Sequence, residues 1–298
     1  MLPVSLWLGS GQQRMTHSPR SRWPAALGVA LAALAAGACA GAPELPTVPS
    51  AVLSVAGAPQ TGAPVPAGDP LPPIPALGAT RFLAFGDSIT CGVSGAFPQA
   101  DFGFDVNCFD TGFPEALDGL LEAASATQDF TVDNEGRPGE EARLALSRFT
   151  SLVSVRRPQA VLLLEGINDL NNGTSVASAV AALQQMVELA RAYGATVLVG
   201  TMFQTCYSAN PYTGRVRLNS TDLIPPFNSA VRAMVAGRQN VYVVNLDTAF
   251  GNGNCGSDRG INLVGEDGLH PSPSGYSLIA QTFGMAIRSV FAVRGSYQ

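Results

Sequence analysis

RFLAFGDSIT, residues 81–90, decides how the rest of the chain reads. Phe82 to Phe85 run without the polar alternation of a half-buried strand, so both faces of this strand are expected to be covered. The run stops on Gly86, and Asp87 and Ser88 follow at once. A buried strand thus ends by presenting a carboxylate and a hydroxyl. Such a turn is ordinary punctuation, or it holds Ser88 in the open where it can attack a substrate.

The same apolar signature recurs in FTVDN (130–134), AVLLLEG (160–166), TVLVG (196–200) and VYVVNL (241–246). Segments with helical spacing lie between and after them: EEARLALSRFTSLV (140–153), VASAVAALQQMVELARAYG (176–194), FNSAVRAMVAG (227–237) and SPSGYSLIAQTFGMAIRSVF (272–291). Gly194 stands where a helix end favours a left-handed residue. Strands apolar on both faces, alternating with helices, predict an α/β fold, a three-layer α/β/α domain with a central parallel sheet. In such sheets ligands bind at the carboxyl ends of the strands.

The chain has 298 residues and a formal net charge of −5. It contains no Lys, so every positive side chain is Arg. That excludes a Schiff-base lysine and the lysine of a phosphate-binding P-loop. No basic block marks a nucleic-acid partner.

Residues 1–40 read as an export signal. Arg14, Arg20 and Arg22 precede PAALGVALAALAAGACA (24–40), an apolar stretch too short and too alanine-rich for a comfortable membrane span. Met15 is an alternative start. Ala36-Gly37-Ala38 before Cys39 resembles a bacterial lipoprotein signal, in which the cysteine is lipidated and anchors the protein to a membrane, although Ala36 stands where Leu is usual. The same residues also read as an ordinary A-x-A cleavage site. The expected location is therefore outside the cytoplasm, as a periplasmic or cell-surface lipoprotein or as a secreted protein. Residues 41–78, with Pro64, Pro66, Pro70, Pro72, Pro73 and Pro75, read as an extended tether. The folded domain is expected over residues 79–298.

Export changes how the cysteines read. Beyond Cys39 the chain has Cys91, Cys108, Cys206 and Cys255, an even number for an oxidising compartment. Of the three pairings, Cys91–Cys108 and Cys206–Cys255 are expected, because each would join loops on one rim of the sheet. Buried free thiols are the alternative. No C-x-x-C exists and only His270 survives signal removal, so no metal site is expected.

Four segments carry polar groups suited to chemistry. Ser88 follows the first strand, where a serine also serves as a helix N-cap. Gly136 and Gly139, in DNEGRPGEEA, precede a helix, so a backbone N–H there can face an anion or simply close a turn. Asn168, in EGINDLNNG, follows the strongest apolar strand, where Asn-Asp is also a common turn dipeptide. His270, in EDGLHPSPSGY, has Asp267 three residues before it, a carboxylate able to fix the tautomer of an imidazole. GNGNCG (251–256) matches G-x-G-x-x-G by letters, but opens no predicted helix and reads as a loop near the site.

Together and in order, GDS, N-x-G-x-x-G-E, G-x-N-D and D-x-x-H-P are far more specific than any one of them. Over residues 80–290 the chain resembles the GDSL, or SGNH, hydrolases, with Ile89 in place of the Leu of strict GDSL. The resemblance implies a flavodoxin-like SGNH architecture and a serine hydrolase cleaving carboxylic esters through an acyl-enzyme, without a cofactor. It implies Ser88 as nucleophile, His270 as general base and Asp267 as its orienting carboxylate. The implied oxyanion donors are the N–H groups of Ser88 and Gly139 and the Asn168 amide. G-x-S-x-G, the elbow of the α/β-hydrolases, is absent.

The implied partner is an ester substrate: a small molecule, a lipid or an acylated carbohydrate. QTCYSANPYTGRVRLNSTDLIPPFN (204–228) should border the pocket, where Tyr207, Tyr212 and Arg215 either contact the substrate or are solvated loop residues. An acyltransferase using the same serine and a non-catalytic surface-binding lipoprotein are the alternative functions.

Overall fold

The computed structural model describes residues 76–93, 108, 112–125, 127–206, 222–251, 263–265 and 267–293. All of them belong to the unit Gln60–Gln298. The export signal, Cys39 and the tether up to residue 75 lie outside the described residues, as do Tyr207, Tyr212, Arg215 and GNGNCG beyond Gly251.

Each of the five expected strands forms: β1 (Arg81–Gly86), β2 (Thr131–Gly136), β3 (Ala160–Leu164), β4 (Thr196–Gly200) and β5 (Val241–Val244). They make one parallel sheet in the order β2-β1-β3-β4-β5. All five residues of β3, at the centre, are buried. β2 is an edge strand and carries Asp133, Asn134 and Glu135 half-buried, which a central strand would not tolerate.

The helices are α1 (Ser88–Cys91), α2 (Phe113–Ala124), α3 (Ala142–Arg156), α4 (Ile167–Asn171), α5 (Val176–Ala192), α6 (Ile224–Val235), α7 (Leu246–Phe250) and α8 (Pro273–Phe291). Neighbouring residues of β1 point to opposite layers, as strand geometry requires. Phe85 meets Phe149 of α3 edge to face at 4.8 Å, and Phe82 meets Phe291 of α8 at 6.1 Å. α3, α5 and α6 pack in a row, and α2 packs against α8 with the Phe113 and Phe283 rings stacked at 5.1 Å. This is the three-layer α/β/α architecture, in the flavodoxin-like strand order. None of the described helices is long and apolar enough to cross a membrane.

Several elements differ from the sequence expectation. α2 was not anticipated; its one-sided apolar pattern is interrupted by Pro114 and Gly119, and Pro114 is accepted because it stands in the first turn. α6 starts at Ile224 rather than 227, again with prolines in its first turn. α1, α4 and α7 are one-turn helices that follow strands directly, too short to show a period. Leu77, assigned to the end of the tether, is buried and bridges to Ala292. Val293 donates its N–H to Ala76, so the folded domain includes these residues.

Cys91 and Cys108 form a disulfide, with Cα atoms 4.6 Å apart. Cys206 is also disulfide-bonded, and Cys255, the partner expected for it, lies outside the described residues.

Gly86 pairs with Gly136 on one side and Leu164 on the other, so β1, β2 and β3 end level. The chain leaves β1 towards β2 and returns on the other side as β3. The crevice between β1 and β3 is thus the point where the winding reverses, the place where parallel sheets bind ligands.

Candidate active site

Gly86 allows the turn that ends β1. A Cβ there would collide with the Leu164 carbonyl and the Thr90 hydroxyl, so only glycine fits. Asp87, not Ser88, is the N-cap of α1, and its Oδ1 accepts the Ile89 N–H at 2.8 Å. Ser88 is therefore relieved of the capping job and its hydroxyl is available. It is 5% exposed, so it sits within the rim rather than in the open.

His270 reaches it from the last loop, 182 residues later in the chain, with Nε2 2.8 Å from Ser88 Oγ. On the other side of the ring, Nδ1 stands 2.5 Å from Asp267 Oδ2. With Asp267 accepting the Nδ1 proton, Nε2 carries the lone pair and accepts the Ser88 hydroxyl proton. Asp267 Oδ1 accepts the backbone N–H groups of Leu269 and His270, each at 2.9 Å, which locks the turn. Burial raises the affinity of the Asp267 carboxyl for a proton. Hydrogen bonding to His270, its charge and the two backbone donors outweigh that and hold the group below the usual carboxylate range. The loop is tied to the serine segment by α8, whose Tyr276 hydroxyl donates to the Val93 carbonyl at 2.6 Å.

The other two expected residues converge on the same rim. Gly139 has φ +77°, a left-handed conformation, and the space beside its Cα is open. The following Glu140 carbonyl accepts the Asn168 side-chain N–H at 2.9 Å. The same nitrogen stands 3.4 Å from Asp87 Oδ2, a looser contact. Asp169 then caps α3 from a different element: its carboxylate accepts Ala142 N–H at 2.6 Å and Arg143 N–H at 3.3 Å. Arg148 grips Glu140, donates to the Glu135 carbonyl at 2.9 Å and lies over the Phe85 ring. The loop that carries Gly139 is thus held at both its ends.

The family model for the GDSL-like Lipase/Acylhydrolase family matches residues 84–278, about two thirds of the chain and every residue of this site. The chain belongs to the GDSL-like lipase/acylhydrolase family. Solved structures agree in fold. The acetylxylan esterase from Geobacillus stearothermophilus superposes with a TM-score of 0.53 at 21% identity, over 74% of this chain and 99% of that one. The lipase/acylhydrolase from Enterococcus faecalis gives 0.54 at 20% identity, over 72% and 100%. A protein described as lipolytic and of the G-D-S-L family, from Desulfitobacterium hafniense, gives 0.51 at 21%, over 69% and 98%. At these identities the likeness is one of fold. No curated protein matches the chain.

This GDSL-like hydrolase is a carboxylic ester hydrolase: family membership and the buried Ser88–His270 pair equip it for ester cleavage through an acyl-enzyme. Among the described residues no group of three or more His, Cys, Asp or Glu side chains is arranged to hold a metal ion. Beneath the site the hydrolase buries acidic groups. Asp87 is fully buried and Glu165 is 2% exposed. Burial, with the neighbouring carboxylates, pushes Asp87 up to about 7 and Glu165 well above the ordinary range. Burial likewise raises Asp169. A signal for Glu165 was present in the sequence, since a lone carboxylate ends the otherwise apolar run AVLLLEG.

Proposed function

We propose that Ser88 is the nucleophile of this ester hydrolase, His270 its general base and Asp267 the orienting carboxylate. The observation that carries this reading is the continuous chain of contacts from Ser88 Oγ to His270 Nε2 and from His270 Nδ1 to Asp267 Oδ2. His270 takes the hydroxyl proton as Ser88 Oγ bonds to the ester carbonyl carbon. The tetrahedral oxyanion is held by the N–H groups of Ser88 and Gly139 and by Asn168 Nδ2. The open left-handed turn at Gly139 and the level ends of β1, β2 and β3 support that grouping. As the intermediate collapses, His270 gives its proton to the leaving alcohol. Water, deprotonated by the same imidazole, then attacks the acyl-enzyme and releases the acid.

The substrate is an ester met outside the cytoplasm. Three features support this: the arginine-flanked apolar N-terminus, the A-G-A-C boundary at Cys39 and the Cys91–Cys108 disulfide, a bond that persists in oxidising compartments. Solved structures of this fold include an acetylxylan esterase and a lipase/acylhydrolase, so acylated carbohydrate and lipid esters are the two classes to compare. Lipidation is assigned to Cys39, and loss of metabolic palmitate labelling in Cys39→Ser tests it.

The test of function is hydrolysis of nitrophenyl esters from acetyl to palmitoyl by the full chain and by Ser88→Ala. Hydrolysis that disappears in the variant supports the assignment. A maximum at acetyl points to carbohydrate deacetylation and a maximum at long chains to lipids. Hydrolysis that survives Ser88→Ala overturns the nucleophile, and product esters formed with an added alcohol would make the protein a transferase.

A further inference from the structure

Asp87 and Glu165 immediately follow Gly86 and Leu164, which are paired in register across β1 and β3. The register therefore sets the two buried acids at adjacent strand ends at the base of the site, close enough for each to act on the other electrostatically. Glu165 Oε2 accepts the Gly166 N–H at 3.1 Å, while Oε1 is buried and makes no hydrogen bond among the described residues. Two carboxylates cannot bond without a proton between them, and leaving a buried carboxylate oxygen unpaired is costly. Among the described residues no cation is paired with either acid. The arginines of α3 are engaged elsewhere, Arg143 with Glu141, Arg148 with Glu140 and Arg156 with Glu135. The charges acting on Glu165 are those of Asp87, Glu140 and Asp169, all of them acidic. From the remaining side, Tyr276 of α8 feels the Asp87 charge, but its hydroxyl donates to the Val93 carbonyl instead.

We infer that Glu165 is a positioning residue of the hydrolase: its carboxyl group keeps a proton, donates it to Asp87, and so holds Asp87 beneath both Ser88 and Asn168. Asp87 is the lever. One oxygen caps the turn that presents Ser88, and the other stands beside the Asn168 amide. When Glu165 loses its proton in alkaline solution, two adjacent buried carboxylates repel, and the N-cap and the amide shift together. Turnover then falls while substrate binding changes little. This inference rests on the reading of Ser88 as nucleophile and Asn168 as oxyanion donor.

Glu165→Gln is the informative variant. Its amide N–H replaces the carboxyl O–H facing Asp87, its amide oxygen keeps the Gly166 N–H, and it cannot ionise. Kinetics on a nitrophenyl ester from about pH 6 to about pH 10 are expected to show wild-type kcat declining about tenfold per pH unit beyond the loss of that proton, with KM steady. Glu165→Gln should lack the decline, while Glu165→Ala should lose kcat about tenfold or more even at neutral pH. An unchanged alkaline decline in Glu165→Gln overturns the inference. So does a wild-type profile without a decline, or a Glu165→Gln variant as weak as Glu165→Ala. Should neither variant fold, infrared spectroscopy of the wild type decides. The carbonyl stretch of a buried protonated carboxyl must persist at about pH 8, where ordinary carboxyls are ionised, and its absence overturns the inference. Ser88→Ala in the same assay separates the two readings. Hydrolysis independent of Ser88 removes both, whereas Ser88-dependent hydrolysis with an unaltered Glu165→Gln profile removes only this one.

Discussion

Asp169 accepts the backbone N–H of Ala142 at 2.6 Å, so the first turn of α3 is capped by a side chain from α4, the short helix after β3. Glu141, the residue at the N-cap position, makes no capping bond of its own. The bond couples helix stability to the placement of Gly139, three residues before Ala142. Asp169→Ala is expected to lower stability by about 1–3 kcal/mol, the cost of leaving buried N–H groups unpaired, and to lower kcat as well. Thermal unfolding and steady-state kinetics on one preparation check both. A variant that loses stability but keeps full turnover would separate the cap from the site.

Asn168→Ala removes the side-chain donor and the bond to the Glu140 carbonyl. Loss of one oxyanion donor typically costs roughly 3–4 kcal/mol in the barrier, so kcat should fall by about 100-fold or more with little change in KM. A near-normal kcat would take Asn168 out of the mechanism.

Asp267→Asn keeps an oxygen for the Leu269 and His270 N–H groups, so the turn should survive. What it loses is the negative acceptor that holds the Nδ1 proton. kcat/KM should fall by on the order of 10³–10⁴ at unchanged folded structure. Circular dichroism paired with steady-state kinetics tests this, and a kcat/KM near the wild-type value would count against Asp267 as the orienting carboxylate.

The buried acids give stability a definite pH dependence. Asp87 has its folded value raised to about 7 from an ordinary 3.8, by burial first and then by neighbouring carboxylates. The folded state therefore binds this proton more tightly than the unfolded chain. The resulting stabilisation is complete below about pH 4 and is lost as pH rises through about 7. Asp267 acts in the opposite sense, because its lowered value contributes stability that is lost as pH falls into the acid range. Asp87→Asn should consequently lose less stability than the wild type between about pH 5 and about pH 8. Melting temperatures measured across that range decide it, and parallel curves would contradict the assignment.

The Cys91–Cys108 bond closes a loop that begins just after Ser88. Cys108→Ser should cost about 3 kcal/mol, chiefly by freeing the unfolded chain. Unfolding with and without reductant provides the measurement, and equal melting temperatures would show the bond to be dispensable.

Much of this was legible in the residues. All five strands were legible because a strand of a covered parallel sheet must be a short apolar run, and such runs separated by helical spacing admit few arrangements. Ser88, Gly139, Asn168 and His270 were found because each sits at the end of such a run or in the last loop. α2 escaped because Pro114 and Gly119 mask its period, and α1, α4 and α7 escaped because one turn has none. The capping of α3 by Asp169 and the burial of Glu165 could not be read locally, since both depend on which loops the sheet places side by side.

The sequence by itself determined the parallel α/β/α class, the family and the residue types available at the rim, because hydrophobic period and turn chemistry act over a few residues. Only the tertiary structure decided that Asp87 rather than Ser88 caps its helix, that Cys91 pairs with Cys108, and that Ser88 is walled in rather than exposed. It also decided that Asp87 and Glu165 stand at neighbouring strand ends. That placement follows from the register Gly86↔Leu164, and register is set by the packing of both sheet faces at once, a property no single segment carries.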